Sequence, residues 1–105
     1  MVILNAAALD QFARQHRDAA LSLAHWMQIA AGAAWHSLAD IRQTFPSADG
    51  VIVRRPGVVV VATVFNIRGN HYRLITLINF ERAVIRVAAV LTHAEYDKDK
   101  WKDRL

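Results

Sequence analysis

VVVVATVFNIRGNHYRLITLINF, residues 58–80, decides the fold. Two runs rich in Val, Ile and Leu flank Gly69-Asn70, a dipeptide suited to a two-residue hairpin turn with glycine in the first central position. The runs predict strands over Val58–Ile67 and His71–Phe80. With that turn, Arg68 opposes His71 and Asn66 opposes Arg73. Side chains alternate along a strand, and opposed residues share a face. Asn66, Arg68, His71 and Arg73 are therefore expected on one face. Phe65, Ile67, Tyr72 and Leu74 fall on the other, where they can pack against helices.

Outward from this hairpin, Val51–Arg54 and Ala83–Leu91 read as further strands, and Val2–Leu4 as a short one. A turn at Glu81-Arg82 sets Leu77 opposite Arg86 and Arg73 opposite Val90. Arg86 then joins the polar face, and Ile85, Val87 and Leu91 join the apolar one. Residues 92–98 leave the sheet at the end where Arg73 stands. Arg73, Arg86, His93, Tyr96 and Lys98 could thus line one cleft, provided the register holds, since a slip of one residue turns every side chain over.

The N-terminal half reads as helical. Asn5 is suited to cap a helix carrying Leu9, Phe12, Ala13 and His16 at i, i+3, i+4, i+7. A second helix is expected over Asp18–Ala31, apolar nearly all round and therefore well buried, with Gly32 as its stop. Ser37 and Asp40 mark a short third helix with Leu38, Ile41 and Phe45 inward, ended by Pro46. Helices followed by hairpins predict one α+β domain over residues 1–105. Its N-terminal helices would pack on one face of a mainly antiparallel sheet of about four to five strands.

Composition narrows the function. The chain has 105 residues, 54% of them hydrophobic, which argues for a packed core and against disorder. Thirteen Lys and Arg against nine Asp and Glu give a net charge of +4, which suits an acidic partner or a polyanion. Ten of those cations are arginine, whose planar fork matches phosphate and carboxylate. Cysteine is absent, so disulfides, thiol nucleophiles and Cys-based metal sites are excluded. His16, His25 and His36 show no ligand spacing, and neither a metal nor a cofactor is expected. The opening MVILNAAALDQ lacks the basic region of a secretory signal. The apolar tract Leu21–Ala34 is broken by His25 and Gln28 and is too short to span a bilayer. A cytoplasmic protein without a membrane partner is the expectation.

FNIRGNHYRL (65–74) followed by IRVAAVLTHAEYDK (85–98), with SLADIRQ and FPSADGV upstream, resembles the HigB group of type II toxin–antitoxin toxins, within the RelE/ParE-like superfamily. The resemblance runs from about Leu38 to Lys98. It implies a compact toxin that cuts mRNA, often on the ribosome, and is neutralised by a HigA-type antitoxin with a helix-turn-helix. Carried onto this chain, the family pattern marks Asn66, Gly69, Asn70, Tyr72, Arg73, Arg86, Thr92, His93, Tyr96, Asp97 and Lys98. The family usually reads GGN where this chain has Arg68-Gly69-Asn70, so Arg68 receives no role from the family. From its own chemistry it is a candidate phosphate contact.

Such residues can do RNA chemistry without metal. The 2′-OH attacks the adjacent phosphate if a base takes its proton, donors hold the phosphorane, and an acid protonates the 5′-oxygen. Arg73 and Arg86 suit the phosphorane. His93 could be acid or base, Tyr96 could stack on a base or relay a proton, and Lys98 could hold phosphate or act as base. Asn66, Arg68, Asn70 and His71 are the candidate RNA contacts. Plainer roles exist for each: carboxylate-paired arginines, a His93 in a helix capped by Thr92, a Tyr96 that only packs. The alternating charges from Asp97 to Arg104 read mostly as a solvated face, with Trp101 docked on the domain. Two other functions fit the same fold: a ParE-like toxin that poisons gyrase, and an RNA-binding module without catalysis.

Overall fold

The computed structural model describes all residues, 1–105. In chain order it contains β1 (Val2–Leu4), α1 (Ala7–Gln15), a 3-10 turn (Arg17–Ala19) leading into α2 (Ala20–Gly32), and α3 (Leu38–Thr44). There follow β2 (Asp49–Arg55), β3 (Val58–Ile67), β4 (Tyr72–Asn79), β5 (Val84–Thr92), α4 (His93–Asp97) and a second 3-10 turn (Lys100–Arg104). The five strands form one sheet in the order β1-β5-β4-β3-β2. All neighbours are antiparallel except β1, which runs parallel to β5. This is the expected α+β architecture. No helix is long and apolar enough to cross a membrane.

The helices cover one face of the sheet. Leu23, Trp26 and Ala30 form the buried stripe of α2 and meet Phe65, Leu74, Ile85 and Val87 from the strands. Phe65 sits among the rings of Trp26, Trp35 and Phe45 at centroid distances of 5.3, 6.2 and 5.4 Å. The expectation that α2 is buried all round fails: Leu21 is 86% exposed. Only one layer of helices lies on the sheet, so the outer side of α2 faces water. Ser37 caps α3 as predicted, its hydroxyl accepting the Asp40 N–H at 3.2 Å. Asn5 does not cap α1. It takes a left-handed backbone (φ 62°), and its side-chain amide donates to the Val87 carbonyl at 2.9 Å. A tie between β1 and β5 has replaced a cap.

The hairpin register is as predicted, with Asn66 opposite Arg73. Its turn differs in one respect. Both Arg68 (φ 50°) and Gly69 (φ 62°) are left-handed, and the His71 N–H closes the turn on the Arg68 carbonyl at 3.3 Å. That backbone breaks the alternation at Arg68. Its guanidinium pairs with Asp18 at 3.2 Å, and Asp18 also accepts the Tyr72 hydroxyl at 2.6 Å. Arg68 therefore stands with Tyr72 toward the helices and does not share a face with Arg73.

A second correction lies in β5. Leu77 opposes Arg86 as expected, but a bulge follows: Thr76 pairs with Val87 and Ile75 with Ala89, leaving Ala88 unpaired. Arg73 consequently opposes Leu91, not Val90. Val90 packs with the helix-face core, and Leu91 joins the other face.

That other face has a smaller core of Val53, Ala62, Val64, Ile75 and Trp101. Its cover is the C-terminal segment. Trp101 donates its indole N–H to the Tyr96 carbonyl at 3.2 Å, and Arg55 reaches the Asp103 carbonyl at 2.7 Å. The tail read as mostly solvated is in part a lid of packed structure. The β2–β3 pairing continues out to Arg55 and Val58, whereas β3 joins β4 only from Thr63 onward. The outer hairpin is thus a two-stranded arm. Trp101 braces one side of it, while Ile52, Val59 and Val61 on the other side are more than half exposed.

Candidate active site

The open face of the sheet gathers most of the predicted residues, in two adjoining groups. The first sits at the β3–β4 hairpin. Arg73 donates to the Asn70 side chain and to the carbonyls of Asn70 and Tyr72 at 3.3 and 3.2 Å. Its guanidinium carbon lies 5.6 Å from the centre of the Tyr96 ring. These contacts fix the direction of the fork without neutralising it. No carboxylate pairs with Arg73 or with Arg86. The reading of these two as carboxylate-paired sheet arginines therefore does not describe the structure.

The hairpin also anchors α4. Thr92 opposes Tyr72, and the His93 N–H donates to the His71 carbonyl at 3.0 Å. Thr92 and Glu95 cap the helix reciprocally. Those bonds, from the Thr92 N–H first and its hydroxyl second, hold the Glu95 carboxyl below its ordinary range. One turn further, Asp97 meets Nδ1 of His93 at 2.9 Å. That contact orients the imidazole and leaves Nε2 on the side away from Asp97. The sequence reading marked both residues but not their pairing, although their i, i+4 spacing on one helix was available.

Tyr96 stacks on Trp101, with centroids 5.3 Å apart and planes 14° from parallel. Burial first, and the Asp49 charge second, push its phenol above the ordinary range, so it remains a neutral donor. It packs and faces Arg73 at once, so the two roles considered for it are not exclusive.

The second group lines a groove of about 430 Å³ between β5 and the C-terminal segment. Arg86 and Lys98 stand here, with Ile75, Leu77, Ala88, Ala89 and Leu91 as apolar surface. Lys100, Trp101, Arg104 and Leu105 complete the wall, none of which the sequence reading placed in a site. The available signal was Trp101, an aromatic in an otherwise polar tail. Of the remaining candidates, Asn66 is partly buried opposite Arg73. His71 is exposed, with Nδ1 2.9 Å from the Arg68 carbonyl oxygen. Arg68 is turned away toward Asp18.

The fold and the site thus define a small α+β protein that presents an uncompensated basic surface, with a carboxylate-oriented histidine, on one face of its sheet. The family model for HigB toxin, the RelE-like toxic component of a toxin-antitoxin system, matches residues 19–99, and the chain belongs to that family. It is also similar to the mRNA interferase HigB of Escherichia coli O6:H1 (strain CFT073), 29% identical over 98 residues, which cover 93% of this chain and 90% of the relative.

Proposed function

We propose that the protein is an mRNA endonuclease that cuts RNA at the ribosome without a metal ion, inhibits translation in the cytoplasm, and is held inactive by a HigA-type helix-turn-helix antitoxin. The observation that carries this reading is Arg73, without counter-charge at the hairpin that anchors the His93–Asp97 helix, with unpaired Arg86 further along the same sheet face. The name of the E. coli relative supports the substrate.

In this mechanism Nε2 of His93 takes the proton of the 2′-OH, and the O2′–P bond forms as the P–O5′ bond breaks. Asp97 stabilises the imidazolium, as a carboxylate does in other acid–base pairs. Arg73 donates to the phosphorane oxygens, where charge develops, and Arg86 supports the charge of the strand from the groove alongside. Lys98 protonates the departing 5′-oxygen. Asn66, Asn70 and His71 contact the strand at the hairpin. Arg68 would join them only by leaving Asp18.

The test is cleavage of free RNA in EDTA, with end-group analysis. A 2′,3′-cyclic phosphate and a 5′-hydroxyl are expected, and a 3′-hydroxyl product overturns the mechanism. Expression alone should arrest growth and translation, and co-expression of the antitoxin should restore both. Cleavage of an mRNA bound to intact ribosomes should be faster than cleavage of the same mRNA free.

A further inference from the structure

We propose that the groove between β5 and residues 98–105 seats one nucleotide of the RNA strand, with its base on the alanine floor and its phosphates on the surrounding cations. This rests on the RNA-cleaving reading above and adds to it a substrate wall built from the C-terminal tail. Lys100, Trp101, Arg104 and Leu105 all lie beyond residue 99, where the family match ends.

Size, charge and shape agree on this occupant. A volume of about 430 Å³ falls in the range of small-ligand pockets, roughly 300–1,000 Å³. Four cations line it, Arg86, Lys98, Lys100 and Arg104, and none of them is in an ion pair. Glu95 is the only acidic residue of the lining. The floor is apolar and low because the bulge sets two small side chains, Ala88 and Ala89, in succession where the pairing skips a residue. Bulges next to active sites commonly re-aim or clear side chains in this way. A flat apolar floor under cations suits a base joined to phosphates, whereas a protein segment or a free anion would use only half of it.

The wall is held in place before any ligand arrives. Trp101 is 6% exposed, stacked on Tyr96 and bonded to its carbonyl. Tyr96 in turn lies under Arg73. One aromatic stack therefore separates the groove from the hairpin group, so a strand can place one nucleotide in the groove and the next phosphate by Arg73.

The polar atoms left free in the lining restrict the base. Asn5 uses its amide N–H₂ on the Val87 carbonyl, which leaves its oxygen. Glu95 uses Oε1 on the Thr92 N–H and hydroxyl, which leaves Oε2. Both free atoms accept. They match an exocyclic amino group, present on adenine, cytosine and guanine and missing from uracil. The bonds from Thr92 also keep the Glu95 carboxyl ionised at neutral pH.

Fluorescence anisotropy with 2′-O-methyl oligo(C) and oligo(U), which cannot be cut, tests this. The wild type should prefer oligo(C) by roughly fivefold, about one hydrogen bond. Ala88→Leu fills the floor and should weaken oligo(C) by about tenfold or more while leaving the salt dependence unchanged. Lys100→Ala with Arg104→Ala, both exposed and harmless to melting, should weaken binding and flatten the salt slope by roughly 0.7 per lost phosphate contact. If the wild type cuts RNA while both variants bind and cut as it does, the groove is not a nucleotide seat. Equal affinity for the two oligomers overturns the amino-group recognition. A wild type that cuts but binds neither oligomer overturns the seat, and one that cuts no mRNA, free or bound to ribosomes, overturns the endonuclease reading itself.

Discussion

Phe65, on the helix face of the sheet, is 1% exposed and lies among three aromatic rings contributed by the helical half of the chain. Trp101, on the opposite face, is 6% exposed, and the ring stacked on it comes from its own tail. Fourteen buried residues make the first core and five the second. The difference separates two tasks. The helix face closes on an apolar core, with the Tyr72–Asp18–Arg68 link at its edge. In the proposed mechanism the open face has to keep Arg73, Arg86, His93 and Lys98 accessible, and it carries the smaller core.

Four substitutions can break or sharpen this contrast. Phe65→Ala should destabilise the whole domain by about 3–5 kcal/mol, as read by urea unfolding. Against a typical stability of about 5–15 kcal/mol, that is a large fraction. A variant that melts like the wild type would mean the helix face is not the main core. Arg73→Ala should leave the unfolding curve in place and lower the cleavage rate by about a hundredfold or more, the usual cost of losing a transition-state donor. If it unfolds the protein with activity per folded molecule unchanged, the open face is structural.

Trp101→Ala should act between these. Trp101 belongs to the smaller core, so global stability should fall less than in Phe65→Ala, with the loss concentrated in the C-terminal segment. Amide hydrogen exchange should rise in residues 98–104 and remain slow in α2. The smallest effect belongs to the link between the hairpin and the helices. The hydrogen bond from Tyr72, with help from the Arg68 charge, holds the Asp18 carboxyl below its ordinary 3.8. The folded protein therefore binds that proton less readily than the unfolded chain does. The link stabilises above about pH 4 and is lost as the pH falls through the lowered value. The same bond raises the Tyr72 phenol above its ordinary 10.0, so the link fails again in strong alkali. Asp18→Asn should lower the melting temperature at pH 7, and the gap to the wild type should close as the pH falls below about 4. A constant gap would remove Asp18 from the acid response.

The helix face was legible because its signals are periodic. The Val and Ile alternation gave the strands, the Gly69 turn gave the Asn66–Arg73 pairing, and Ser37 marked its helix correctly. What the sequence concealed depends on single residues with unusual backbones or on contacts between distant parts. Arg68 is left-handed although glycine is its neighbour, and so it turns to Asp18. Asn5 has the residue type of a cap and ties β1 to β5 instead. The run of four valines from Val58 reads as interior, yet three of the four are exposed because β3 extends past β4. In the site, the polar residue types were visible individually. The split into a hairpin group and a groove, and the groove's C-terminal wall, follow from where the tail folds back, which no local pattern encodes.

The bulge at Ala88 makes the length of β5 carry information of its own. An unpaired residue changes the parity of the strand, so the bulge between Arg86 and Thr92 sets the side on which α4 departs. Pairing β5 without the bulge, with every residue kept, would preserve the composition and the pairing of Arg86 with Leu77. It would carry Leu91 into the helix-face core and turn the segment bearing His93, Tyr96 and Trp101 away from Arg73. Side chains along β5 can therefore change more freely than the register of its pairing. A bulge-free register there is equivalent to mounting the C-terminal part of the candidate site on the reverse of the sheet.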